Sequence, residues 1–213
     1  MISSLPEKLN DAESQIKTSL LDYLNKKQSN RISIDIRFEG LRLLPISIRM
    51  CHILMENNYH PILLFSDAGS TALAKRDAPE LTNNIKSFKD IKNSDPGQYT
   101  DNVLIAVSPQ PYDYEEYVSV CNDLRGIIIM INGKLDDSEV GIGSVARQRR
   151  KDFVTKWTNI YWIQPLKNAA LMHAYPSDWI LFKQLNNSYT ICQEFPERPD
   201  ADSIFEAILE SRI

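Results

Sequence analysis

The sequence predicts an α/β protein with a layered, mostly parallel sheet flanked by helices and antiparallel strands towards the C-terminus. Three observations carry that expectation. Residues 61–65, 103–107 and 126–131 are short apolar runs, the pattern of strands covered on both faces. Segments of helical periodicity separate them. Beyond Trp157 the chain turns strand-rich, with no further helix until about residue 202.

Each element follows from local pattern. Residues 5–26 read as a helix, because Pro6 suits a first turn and Leu9, Ala12, Ile16, Leu20 and Leu24 form one stripe. Residues 31–38 alternate Ile32, Ile34, Ile36 and Phe38 with polar positions, as a half-buried strand does. A helix over 43–57 has Pro45 near its start and Asn57 and Asn58 near its end. After the strand at 61–65, Asp67 opens a short helix to about residue 77. Residues 85–91 read as an edge strand, and 93–100, with Pro96 and Gly97, as a loop. Strand 103–107 leads to a helix over 112–124, with Glu115 and Glu116 in the first turn, where the helix dipole favours them. Strand 126–131 precedes a loop at 132–140 and a helix over 141–157. Strands at 160–164, 170–174, 179–183 and 189–194 precede a closing helix at 202–211. No repeat or clear linker interrupts the 213 residues, so one domain over 1–213 is expected, with helix 5–26 packed on it.

Composition excludes several classes. Lys+Arg 24 against Asp+Glu 28 gives a net charge of −4, which argues against a nucleic-acid binder. Cys51, Cys121 and Cys192 are too few and too scattered for a disulfide framework, so a reducing compartment is expected. No apolar run reaches the roughly 18 residues that span a bilayer. The N-terminus lacks the apolar core of a secretory signal and is a poor transit peptide. A cytoplasmic protein follows, with peripheral membrane association left open.

Candidate binding residues fall in three groups. Gly133, Gly141 and Gly143 cluster after the most apolar strand, although the whole chain has only seven glycines. Ligands in open α/β sheets bind beyond the carboxyl ends of the strands. A Gly-x-Gly turn entering a helix can aim N–H groups at an anion. That helix brings Arg147, Arg149, Arg150, Lys151 and Lys156 against Asp152, a local excess of +4. Gly141, Gly143, Arg147, Arg149 and Arg150 are therefore candidates for an anion or an acidic partner. The competing expectation is internal. Arg149 falls within about 20° of the helix face that carries Ile142, Ala146, Phe153 and Trp157, and an arginine there needs a counter-charge. Asp136, Asp137 and Asp67 are the nearest guesses.

The second group is a polar cluster expected at the strand rim: Asp67, Gly69, Arg76, Asp77, Asn132 and Asp136. Asp67 can cap the helix that follows it, and a rim carboxylate can also hold a metal or act as a base. The third group is aromatic. Trp157, Trp162 and Trp179 lie within 23 residues, and Tyr175 with Trp179 forms either a contact patch or a packed corner. His52, His60 and His173 have no chelating spacing, and no hydrolase elbow or phosphate loop is present. No catalytic residue, metal or cofactor is therefore expected.

Taken in order, these residues form a recognisable set. Asp67, Gly69, Ala72, Arg76 and Asp77 are followed by Asn132, Leu135 and Asp136. Gly141, Gly143, Arg147, Arg150 and Phe153 come next, then Pro165, Leu166, Tyr175, Pro176 and Trp179. With Pro6, Ala12 and Gln15 the set covers nearly the whole chain. The sequence resembles the cyanobacterial and plastid domain family that includes the chloroplast low-photosystem-II-accumulation assembly factor. A similar domain extends a plastid adenylate kinase. His173 departs from the pattern, standing where an arginine would precede the Tyr-Pro pair.

The resemblance implies a non-enzymatic accessory role in photosystem assembly or maintenance. It implies protein partners, among them photosystem subunits or assembly factors, at the cytoplasmic face of the thylakoid. The alternative is a nucleotide or sugar-phosphate ligand held by the Gly/Arg/Asp cluster at the strand rim.

Overall fold

Arg31 opens the first strand and also ties down the end of a distant helix, so one residue shows how this fold is stitched. In the computed structural model, which describes residues 4–26, 29–95, 97–135, 143–186 and 188–210, its guanidinium donates to the carbonyls of Cys121, Leu124 (3.0 Å) and Gly126 (3.1 Å). The chain forms two compact units. The first comprises residues 29–33 and 41–158, the second residues 1–28, 34–40 and 159–213. Strand β1 (Arg31–Ile36) is shared out between them.

The first unit carries α2 (Leu43–Glu56), β2 (His60–Phe65), α3 (Ala68–Asp77), β3 (Ile85–Ser87), α4 (Phe88–Lys92), β4 (Asn102–Val107), α5 (Tyr114–Asp123), β5 (Ile127–Ile131) and α6 (Ser144–Val154). Its strands run in the order β3-β2-β4-β5, all parallel, and the start of β1 lies beside β5. Alternation sends Ile62, Leu64, Leu104, Ala106, Ile128 and Met130 into one core with Phe88, Tyr117 and Val120. Leu63, Ile105 and Ile129 are equally buried on the opposite face, and α2 packs against β2 and β4. The apolar runs are therefore strands covered on both sides, as expected.

The second unit carries α1 (Leu9–Lys26), the rest of β1, β6 (Thr158–Leu166), β7 (Ala169–Ala174), β8 (Trp179–Leu185), β9 (Ser188–Phe195) and α7 (Ala201–Glu210). The order is β1-β6-β7-β8-β9, antiparallel from β6 onward. Asn168 and Asn186 take positive φ (57° and 47°) where this meander turns, a conformation asparagine tolerates better than most residues. The predicted stripe of α1 is buried from Ala12 to Leu24, and Tyr161 donates to Gln15 Oε1 at 2.9 Å. Ile204, Ala207 and Ile208 of α7 pack on Leu181 and Phe195.

The α/β class and the antiparallel C-terminal strands stand as predicted. Several local expectations do not. Helix α1 starts at Leu9, so Pro6 precedes it. Residues 85–91 are not one edge strand. Ser87 and Asp90 form a reciprocal capping box, which ends β3 and starts α4. Strand β1 is not half-buried, because Ser33 and Asp35 are as enclosed as its isoleucines (6% and 5% exposed). It is an interior strand, and Asp35 survives there by pairing with Arg37 and accepting from Asn159 Nδ2 at 3.0 Å. The helix expected over 141–157 is described as Ser144–Val154. Gly141 and the 136–140 part of the loop lie outside the described residues.

Candidate functional site

The carboxyl ends of β2 and β4 open into a cavity of about 370 Å³. Its polar lining includes Asp67, Ser70, Ser108 and Gln110, and Leu44 and Leu73 contribute to its apolar wall. Asp67 works as the cap of α3. Its backbone is extended, and its carboxylate accepts from the Ser70 N–H at 2.8 Å. Hydrogen bonding from the Ser70 side chain and backbone holds its pKa below the usual carboxylate range. Gly69 is tight against this cap, since a Cβ there would stand 3.0 Å from Asp67 Oδ1.

Arg76 and Asp77 of the expected rim cluster do not join it. Arg76 donates to its neighbour Asp77 at 2.9 Å, both at the other end of α3, about 14 Å along the helix from Asp67. Asn132 does sit at the strand ends. It follows β5 with φ 48°, and its carbonyl accepts from the Ser108 hydroxyl at 3.3 Å. Ser108, at φ 49°, mirrors it at the end of β4, and Gln110 Nε2 donates to the Ser108 carbonyl at 2.7 Å. Asp136 lies outside the described residues. The lining thus presents hydroxyls, an amide and one carboxylate, and no Lys, Arg or His among the described residues.

The basic group is arranged differently. Gly143 is the N-terminal boundary of α6, and its carbonyl accepts the Arg147 N–H at 3.2 Å. No residue of α6 is buried. One aromatic anchors the helix: the Phe153 ring meets Tyr114 edge-on at 5.7 Å and lies 5.9 Å from Trp157. Arg149 pairs with Glu115 of α5 at 3.2 Å and, among the described residues, not with Asp67; Asp136 and Asp137, also expected from sequence, lie outside the described residues. Its guanidinium and that of Arg150 stand 5.5 Å and 5.4 Å from the Tyr114 ring centre. Burial pushes the Tyr114 phenol up, and the Arg149 charge opposes that shift. Arg147 and Lys151 are exposed one turn apart. Sequence reasoning missed Glu115 and Tyr114 as the seat of this helix. Glu115 was legible only as a helix-dipole residue, because its partner lies 34 positions away.

The aromatic patch is corrected. Trp179 is 6% exposed, so it belongs to a packed corner and not to a contact surface. It stacks on His173 at 4.8 Å and lies 5.8 Å from Trp162. Tyr175 is half-buried and meets Tyr23 edge-on at 5.0 Å. Trp157 belongs to a separate cluster, stacked on Tyr117. Burial holds the His173 imidazole below its ordinary range. The Asn159 carbonyl, 3.0 Å from its Nε2, opposes that in part.

These features define an α/β protein with a small rim cavity and one exposed basic helix. Residues 6–206 match the family described as a domain of unknown function (DUF1995), and the chain belongs to that family. No curated protein matches it.

Proposed function

We propose that this chain is a non-enzymatic accessory protein of photosystem assembly or maintenance, acting at the cytoplasmic face of the thylakoid through protein contacts. The observation that supports protein contact is α6. Over eleven residues it buries none, and it carries Arg147, Arg149, Arg150 and Lys151 against Asp152 in a chain of net charge −4. Arg149 and Arg150 lean on Tyr114, so Arg147 and Lys151 form the outward pair offered to an acidic partner. The photosynthetic setting rests on the ordered residue set from Asp67 to Trp179. Among the described residues no helix is long and apolar enough to cross a membrane, which is compatible with peripheral attachment.

The phosphate-ligand alternative gains less. Among the described residues the rim cavity is lined by a carboxylate and neutral groups, and Asp67 already takes up the Ser70 N–H in the first turn of α3, where an anion would bind.

The test is capture of partners by the tagged full chain from a cyanobacterial lysate in mild detergent. Photosystem subunits or assembly intermediates are expected to co-purify. They should be lost with Arg147→Ala plus Lys151→Ala and kept with Arg147→Lys. Equal capture by the double variant would remove α6 from the reading. Recovery of no photosystem component would remove the reading itself.

A further inference from the structure

The parallel strands of the first unit divide at one place. From β2 the chain leaves through α3 to β3 on one side, and from β4 it leaves through α5 to β5 on the other. Strands β2 and β4 are neighbours, so the loops that follow them part. In open α/β sheets a parting of this kind, beyond the carboxyl ends of the strands, is where ligands bind. The rim cavity lies there, between Phe65 and Asp67 on one loop and Val107 and Gln110 on the other. Its volume of about 370 Å³ is within the ~300–1,000 Å³ of small-molecule sites.

The hydrogen-bond inventory of its lining is lopsided. The donors of the β4 loop are spent inside the protein. The Ser108 N–H donates to the Ile131 carbonyl at 2.8 Å, and the Ser108 hydroxyl to the Asn132 carbonyl at 3.3 Å. The Gln110 N–H donates to Asp113 Oδ2 at 2.8 Å, and its Nε2 to the Ser108 carbonyl and hydroxyl at 2.7 and 2.9 Å. On the β2 loop the Ser70 N–H is held by Asp67. What remains is acceptor capacity. The Asp67 carboxylate and the Ser108 hydroxyl oxygen have lone pairs to spare, and the Ser66 hydroxyl can accept as well as donate. The lip is apolar: Leu73 and Tyr112 line the cavity while 43% and 80% exposed.

We infer that the rim cavity binds a small primary ammonium ion with an apolar body. An ammonium carries three donors and no acceptor, which complements a lining whose donors are spent. Asp67 supplies the counter-charge. It is ionised at neutral pH, since hydrogen bonding from Ser70 holds its carboxyl below the usual range. Among the described residues no Lys, Arg or His lines the cavity. Arg42 stands between Leu41 and Leu43 in the chain but is exposed and outside the lining. The Tyr112 ring can lie against the cation, and Leu44 and Leu73 against its apolar body. The site does not involve α6 and is independent of the accessory reading.

The test titrates the isotope-labelled full chain with three probes of one shape at pH 7 and constant ionic strength: 2-phenylethylammonium, 2-phenylethanol and 3-phenylpropionate. The expected result is a saturable shift of the Ser70 and Ser108 amide resonances with the ammonium, a weaker one with the alcohol and none with the carboxylate. Asp67→Asn should weaken ammonium binding about tenfold or more and leave the alcohol unchanged. Asparagine caps a helix as well as aspartate, so this variant removes the charge and keeps the start of α3. If its amide spectrum shows that it is not folded, Leu73→Lys takes its place. Position 73 is already part-exposed, and a cation there should repel the ammonium and spare the alcohol. No saturable shift with the ammonium, equal or tighter binding of the alcohol or the carboxylate, or ammonium binding indifferent to the folded variant overturns the site.

Discussion

At the scale of single residues, Arg31 does the work of several. The last carbonyls of a helix have no partner within it. Here one side chain from another element supplies donors for Cys121, Leu124 and Gly126. Lysine could keep the charge but not the planar fork. Arg31→Lys should therefore lower stability by about 1–3 kcal/mol, as carbonyls lose their donors. The urea midpoint should fall with the denaturant slope unchanged, and an unaltered midpoint would contradict this role. Nothing in the sequence around Arg31 announces it, because its acceptors lie 90 to 95 positions away. Asp67 is the opposite case. Its role depends on Ser70, three positions on, so its cap was among the readings the sequence offered.

Among elements, legibility again follows range. The strands β2, β4 and β5 were visible because both faces are apolar. The start of α4 was missed, because the apolar residues at 85–91 suggested one longer strand, although Ser87 and Asp90 stand at capping-box spacing. The seat of α6 was not legible, since it depends on an aromatic contact and an ion pair to α5. That seat is narrow. Phe153→Ala removes its ring from Tyr114, Tyr117 and Trp157. The cost should be about 2 kcal/mol, less than the ~3–5 kcal/mol of a fully buried phenylalanine because this one is half-buried. Hydrogen exchange should then accelerate in α6 well before β4 and β5. Uniform acceleration would mean that α6 is not a separable element.

For the whole molecule, the three cysteines report how completely the chain is closed. Burial pushes the Cys51 and Cys121 thiols up to about 12, so neither offers thiolate at neutral pH. Cys192 is half-buried near α7, its thiol donating to the Ala207 carbonyl at 3.3 Å. A thiol-specific alkylating reagent should modify one site in the native protein and three in denaturant, with the native site mapping to Cys192. Native labelling at Cys51 or Cys121 would show that its core opens without global unfolding. The composition allowed a reducing compartment but could not rank the three sulfurs, since rank depends on what surrounds each in the fold.

The division of the chain also sets a timetable for its birth. Helix α1 leaves the ribosome before the other elements described here, with its stripe from Ala12 to Leu24 meant for the unit that residues 159–213 complete. About 130 residues separate the two, which at ~5–20 residues per second is a wait of roughly 7–26 s. The parallel strands of the other unit are all synthesised in that interval. For those seconds α1 is an amphipathic segment with its apolar side uncovered, and a nascent-chain chaperone would meet it there.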